Sequence, residues 1–336
     1  MRYFAADIDS FLYFYLNGKE ALDDARVVKV DSLEGCVTHA ADLAAIDFAG
    51  IGLGIPRKGA VGSLCPMVGT SGKRHLLVSG SANRHTCKGV VKSRWDGRVP
   101  PGSFARIAPG VCVSTPEFIF LQLARKLSTT QLALVGCALC AGYRINAHDK
   151  IVKCDPMTSV AEIGRFLDGA SRISCSKKAK DALAYVANNA ESPQEINSFL
   201  LTCLPRENGG RGIRKLRLNY SIAVNPEDGD IVDRPDRMSF RVDMGDPDAH
   251  AGSEYLGKQH ESTAEKDRAR LNALLAKGER LLQVKYADLV DPRLAERHSN
   301  QLAALLDEQL VPLTRKQAEE RERLVEFLFG QDRLRI

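Results

Sequence analysis

Two acidic residues in the last third of the chain, Asp243 and Glu254, have the type and spacing needed for phosphoryl chemistry. Asp243 sits near the end of the alternating run SFRVDM, which reads as a half-buried strand. Glu254 follows eleven residues later, within HAGSEYLGKQH, far enough for a turn to return a second strand beside the first. Two carboxylates on adjacent strand ends can bind one hard divalent cation, Mg2+ or Mn2+, through oxygen ligands. Such a cation orients water and neutralises the charge that builds on a phosphodiester. Along an extended strand Glu254, Leu256, Lys258 and His260 point to one face. Lys258 or His260 then contacts a scissile phosphate or a metal-bound water. The plainer alternative makes Asp243 a solvated strand end and His260 an ordinary strand-end histidine.

A third acid, Glu195, opens a helix that starts at Ser192-Pro193. It is a further candidate for the site, although its place three residues after Ser192 is also the spacing of a capping box. Ahead of the first strand lies a basic run of Arg206, Arg211, Arg214, Lys215 and Arg217, interrupted by one acid, Glu207. Phosphate contacts through Arg211, Arg214, Lys215 and Arg217 would give sequence-independent DNA affinity that falls with salt. A merely solvated face is the alternative. Gly209, Gly210 and Gly212 would let the backbone approach a duplex closely. Arg270 is placed with the DNA contacts, against the alternative of a surface pair with Asp267 on one helix.

The elements that must position these groups follow from pattern. Short apolar runs broken by glycine and proline fill the stretch from Met1 to about Gly110 and predict short strands rather than long helices. Helices are predicted at FIFLQLARKL after Thr115-Pro116, at TTQLALVGCALCAG, near SVAEIGRFL, near KKAKDALAYVANN and at INSFLLTCL. Beyond the basic loop the order is strand, the polar connection NPEDGDIVDRPDR, strand with Asp243, strand with Glu254, helix, strand. The helix STAEKDRARLNALLAKG is bounded by a Ser-Thr start and stopped by Gly278. Two charged amphipathic helices complete the tail from Pro292, the second capped by Thr314. The fold class is α/β, a mixed sheet flanked by helices, preceded by a smaller α+β region. The expected division is an α+β region over 1–150, a helical connector over 151–205, the sheet domain over 206–291 and C-terminal helices over 292–336.

In these residues the chain resembles the PD-(D/E)XK, restriction-endonuclease-like superfamily, in its very-short-patch-repair-like branch. That branch carries an acidic strand residue, then Glu-x-Asp-Gly followed by a histidine, then a helix with Asp and Arg. Here the matching positions are Asp243, Glu254 with Gly257 and His260, then Asp267, Arg268 and Arg270, with Glu195 on the preceding helix. The resemblance implies a divalent-metal-dependent DNA endonuclease, with Asp243 and Glu254 on the metal. It departs at Leu256, which stands where the family has aspartate after Glu-x. That departure leaves open a second reading, a catalytically degenerate, antitoxin-like DNA-binding regulator. A looser similarity links the segment from Arg106 through RIAPGVCVSTPEF to AbiEi-antitoxin-like proteins, and implies a bacterial protein tied to defence or mobile elements.

Composition sets bounds on these readings. The 336 residues carry a net charge of +5, mildly basic, which suits a nucleic-acid partner without demanding one. No run approaches the 18 apolar residues of a membrane span, and Asp7 and Asp9 interrupt the apolar start, so no membrane partner and a cytoplasmic location are expected. Nine scattered cysteines predict reduced thiols. Cys137 and Cys140 have metal-ligand spacing, with Cys154 and Cys175 downstream, but they fall inside an apolar helix, where buried thiols are the simpler account. Asp7-Ile8-Asp9 has the form of a phosphatase-type Asp-x-Asp without its companion motifs.

Overall fold

The computed structural model describes residues 2–18, 21, 26–33, 36, 40–53, 73–80, 87–145, 150–223, 239–256 and 264–330. The chain divides into two compact units, Met1–Asn188 and Asn189–Arg333. The division falls inside the stretch 151–205 read as a connector: two of its helices belong to the first unit and one to the second. The first unit is the longer, not the smaller, of the two.

In the first unit six strands form one mixed sheet: β1 (Tyr3–Ala5), β2 (Arg26–Val28), β3 (Arg74–Val78), β4 (Val90–Arg94), β5 (Phe104–Ala108) and β6 (Val111–Ser114). Their order is β2-β5-β6-β1-β3-β4, with β1 parallel to β6 and β3 parallel to β4. Helices α1 (Asp7–Asn17), α2 (Ala40–Ala44), α3 (Pro116–Leu123), α4 (Thr129–Leu139), α5 (Val160–Gly169) and α6 (Ser176–Leu183) accompany it, with a hairpin of β7 (Tyr143–Ile145) and β8 (Ile151–Lys153). α1 corrects the expectation of short strands alone before Gly110. Asp7 and Asp9 lie in its first turn, where the positive end of the helix favours carboxylates. Phe11, Phe14 and Tyr15 are all buried, so the helix is apolar on several sides and hides its period. Phe118 of α3 packs edge-on against Trp95 and Phe104, anchoring that helix in the core.

The second unit begins with α7 (Pro193–Cys203), whose cap residue Ser192 accepts the Glu195 N–H at 3.3 Å. A four-stranded mixed sheet follows: β9 (Arg217–Ala223), β10 (Ser239–Asp246), β11 (Ala251–Tyr255) and β12 (Arg280–Val284), in the order β12-β11-β10-β9. β9, β10 and β11 run antiparallel in sequence, and β12 returns parallel to β11 through α8 (Ala264–Ala276). A parallel neighbour requires such a crossover, whereas the antiparallel pair β10–β11 needs only the turn at 247–250. Gly278, at φ +88°, ends the α8 segment as expected. Tyr220, Phe240 and Val242 of the sheet pack on Ala273 and Leu274 of α8. The helices α9 (Tyr286–Val290), α10 (Pro292–Leu305) and α11 (Arg315–Phe329) complete the unit, the last capped at Thr314 as expected, in a capping box with Gln317. The connection NPEDGDIVDRPDR falls outside the described residues.

Candidate two-carboxylate site on strands β10 and β11

The β10–β11 register pairs Met244 with Ser253, so the next position along brings Asp243 opposite Glu254. Each carboxylate is held by the backbone of the other strand. The Tyr255 N–H donates to Asp243 Oδ2 at 2.7 Å, and the Asp243 N–H donates to Glu254 Oε1 at 3.3 Å. Gly245 and Gly252 are register partners just beside this pair. A Cβ on Gly245 would meet the Ala251 carbonyl at 2.5 Å, and one on Gly252 the Met244 carbonyl at 2.5 Å. Glycine at both positions is what allows the two strands to come this close.

Arg270 reaches across from α8 and lays both terminal nitrogens on Glu254 Oε2, one of them at 2.9 Å. It also donates to the Arg241 carbonyl at 3.4 Å. The fork of Arg270, expected at DNA, is engaged by a buried carboxylate. Glu254 is 7% exposed, and burial together with the neighbouring Asp243 charge pushes its carboxyl well above the ordinary carboxylate range, against the pull of Arg270. Two carboxylates therefore lie side by side, and the Arg270 guanidinium engages one of them, Glu254. An all-oxygen donor set of this kind suits a hard cation. Among the described residues no group of three or more His, Cys, Asp or Glu side chains converges as a metal site. Lys258 and His260, expected beside this pair, lie outside the described residues, and so does the side chain of Asp267.

Glu195 is taken up at the start of its own helix. It accepts the Ser192 hydroxyl at 2.8 Å, the Glu191 N–H at 2.7 Å and a short hydrogen bond from the Asn219 side-chain amide. Its neighbour Glu191 pairs with Arg241 of β10. Nothing in the spacing marked Asn219, whose φ of +50° and role as a clamp appear only in three dimensions.

The basic loop separates into two kinds of residue. Arg214, Lys215 and Arg217 are exposed. Arg211 is 3% exposed, pairs with Glu296 at 3.1 Å and donates to the Val311 carbonyl at 3.2 Å, so its expected phosphate contact is corrected to a buried structural pair. Gly209 and Gly210 are packed within this chain, whereas nothing lies within 4 Å of a Cβ placed on Gly212. A Cβ on Gly209 would strike the Glu320 carbonyl of α11, and one on Gly210 the Leu204 carbonyl, so their close approach is to this chain's own backbone. Buried Arg321 secures the same loop, donating to the Leu201 and Gly209 carbonyls at 3.2 Å each.

The remaining motifs are structural. Cys137 is fully buried and accepts the Ala187 N–H at 3.4 Å, while Cys175 bonds the Leu121 carbonyl at 3.4 Å. Burial pushes the Cys137 thiol up to about 12. Asp7 is buried against Lys126 at 2.7 Å, and Asp9 accepts the Tyr3 hydroxyl at 3.3 Å. No described helix is long and apolar enough to cross a membrane. Compared with known proteins, the chain matches no family model, no curated protein and no solved structure.

Proposed function

We propose that residues 206–291, within the unit Asn189–Arg333, form a restriction-endonuclease-like domain of the very-short-patch-repair type that hydrolyses DNA phosphodiester bonds with a divalent cation. The observation that carries this reading is the facing pair Asp243 and Glu254 on β10 and β11, within the element order helix, three antiparallel strands, helix, parallel strand. Mg2+ or Mn2+ held by Asp243 and Glu254 would neutralise phosphate charge and orient water. Arg270 holds Glu254 in place and adds positive charge on the side of α8. Exposed Arg214, Lys215 and Arg217 supply phosphate contacts at the approach to β9. By the looser similarity around Arg106–Phe118, the first unit belongs to an AbiEi-antitoxin-like protein of bacterial defence.

A second reading has a specific observation in its favour. Leu256 removes the family's next acid, and the Arg270 guanidinium already lies on Glu254, which together suit a DNA-binding regulator that keeps the fold without the chemistry. Calorimetric titration of the whole chain with MnCl2 separates the two. Stoichiometric binding that is lost in Asp243→Ala and in Glu254→Gln is expected for the nuclease. Salt-sensitive DNA binding with no metal uptake would leave the regulator.

A further inference from the structure

The first unit holds a cavity of about 790 Å3 between the β4–β5 connection and the turn that joins α5 to α6. Its lining includes the apolar residues Trp95, Pro101 and Ile173 and the cations Arg98, Arg125 and Arg172. The size lies within the range of pockets that enclose small organic ligands. Trp95 is 4% exposed and locked edge-on against Phe118, so this wall is rigid. Arg125 is spread over it, 5.5 Å from the ring centre, and donates to the Arg94 carbonyl at 2.6 Å.

The charge is unbalanced. Asp96 also lines the cavity, but it is already paired with Arg94 at 2.5 Å. Arg98 and Arg172 are exposed, and neither guanidinium is paired with a carboxylate among the described residues. Three arginines thus line one concave space with no unpaired carboxylate among the described lining. Guanidinium forks match phosphate oxygens two at a time, which an ammonium does not. The opposite end of the cavity is different in kind: α5 finishes at Gly169 on its rim, with the carbonyl-rich pole of the helix there. A ligand that suits all three sides has a dianionic phosphate, a flat apolar body and donor groups on the edge of that body.

We propose that this cavity is a binding site for a nucleoside 5′-phosphate. The phosphate lies between Arg98, Arg125 and Arg172, and the base lies along Pro101 and Ile173, beside the buried Trp95, with its amino edge toward the end of α5. The site is distinct from the two carboxylates of the second unit and does not depend on what they do.

Trp95 is the single tryptophan of the chain, so its emission reports this cavity and nothing else. The test titrates the whole protein with AMP, ADP, adenosine and inorganic phosphate, following Trp95 emission and the heat of binding together. AMP and ADP are expected to bind and to change the emission, adenosine to give no heat at millimolar concentration, and inorganic phosphate to bind at least tenfold more weakly than AMP. Arg98→Ala and Arg172→Ala, both exposed positions whose loss leaves the core untouched, are each expected to weaken AMP at least tenfold. No heat with either nucleotide would overturn the proposal, as would affinity unchanged in both variants. Inorganic phosphate binding as tightly as AMP would reduce the site to an anion hole and overturn the nucleotide. A single-stranded oligonucleotide that outcompetes AMP and quenches Trp95 would assign the surface to nucleic acid instead.

Discussion

At the scale of single residues, the contact that shapes the candidate site is Arg270 on Glu254. The Glu254 side chain is 9% exposed and that of Arg270 24%, so the pair is largely removed from water. Taking away one member strands the other charge, which costs more than the pair is worth. Arg270→Met is expected to lower stability by about 3 kcal/mol in urea denaturation, and adding Glu254→Gln to recover most of the loss. Equal stability of Arg270→Met and wild type would mean that the guanidinium does not compensate Glu254. Asp9 gives a second expectation in the first unit. Burial pushes its carboxyl up to about 7, against the His75 backbone and the charge of Arg74. A carboxyl raised on folding binds its proton more tightly in the native state, so its contribution falls as pH rises from the ordinary range near 4 through about 7. Asp9→Asn is therefore expected to stabilise the protein at pH 8, by on the order of 3 kcal/mol, and to change little at pH 4. Thermal melts at the two pH values read this directly, and an equal effect at both would contradict it. Asp243 and Glu254 were legible as a pair because strand alternation and an eleven-residue separation are local facts. The partner of Arg270 was not, because a helix surface pair with Asp267 and a reach to β11 have the same sequence signature.

At the scale of elements, the strand pair β10–β11 depends on its two facing glycines. Gly252→Ala forces a methyl group toward the Met244 carbonyl, which lies 2.5 Å from the new Cβ position. The strands must separate, at a cost of about 2 kcal/mol or more, and Asp243 and Glu254 separate with them. Loss of Mn2+ binding in Gly252→Ala, with circular dichroism close to wild type, is the expected result; full binding would mean that the two carboxylates need not face each other. These glycines gave no separate signal in the chain, since glycine in a strand pattern does not say which backbone approaches it. Elements with end signals were readable: α8 with Gly278, α11 with Thr314, α7 with Ser192. α1 was not, because an aromatic-rich helix buried on several sides shows no polar face to set its period. The basic loop was half readable. Its charge was plain, but burial of Arg211 against Glu296 joins segments far apart in sequence.

At the scale of the whole molecule, a net charge of +5 gives a modest general attraction to polyanions, and the account of DNA binding rests on a few exposed cations. Each phosphate neutralised contributes about 0.9 to the slope of log affinity against log salt. Replacing Arg214, Lys215 and Arg217 together by alanine is expected to reduce that slope by roughly 2 to 3. Arg211→Ala is expected instead to lower the melting temperature, because its side chain is buried. An unchanged slope in the triple variant would remove this loop from the DNA interface. The mixed sheet flanked by helices was legible in the order of patterns along the chain, whereas the division at Asn188 was not, because the helices on either side carry similar patterns. The central claim is tested most directly by incubating supercoiled DNA with Mg2+ or Mn2+ and the wild-type chain, Asp243→Ala and Glu254→Ala. Metal-dependent nicking by the wild type, absent from both variants, is the result expected of a two-carboxylate nuclease. No nicking by the wild type with either metal, or nicking that persists in both variants, would contradict it.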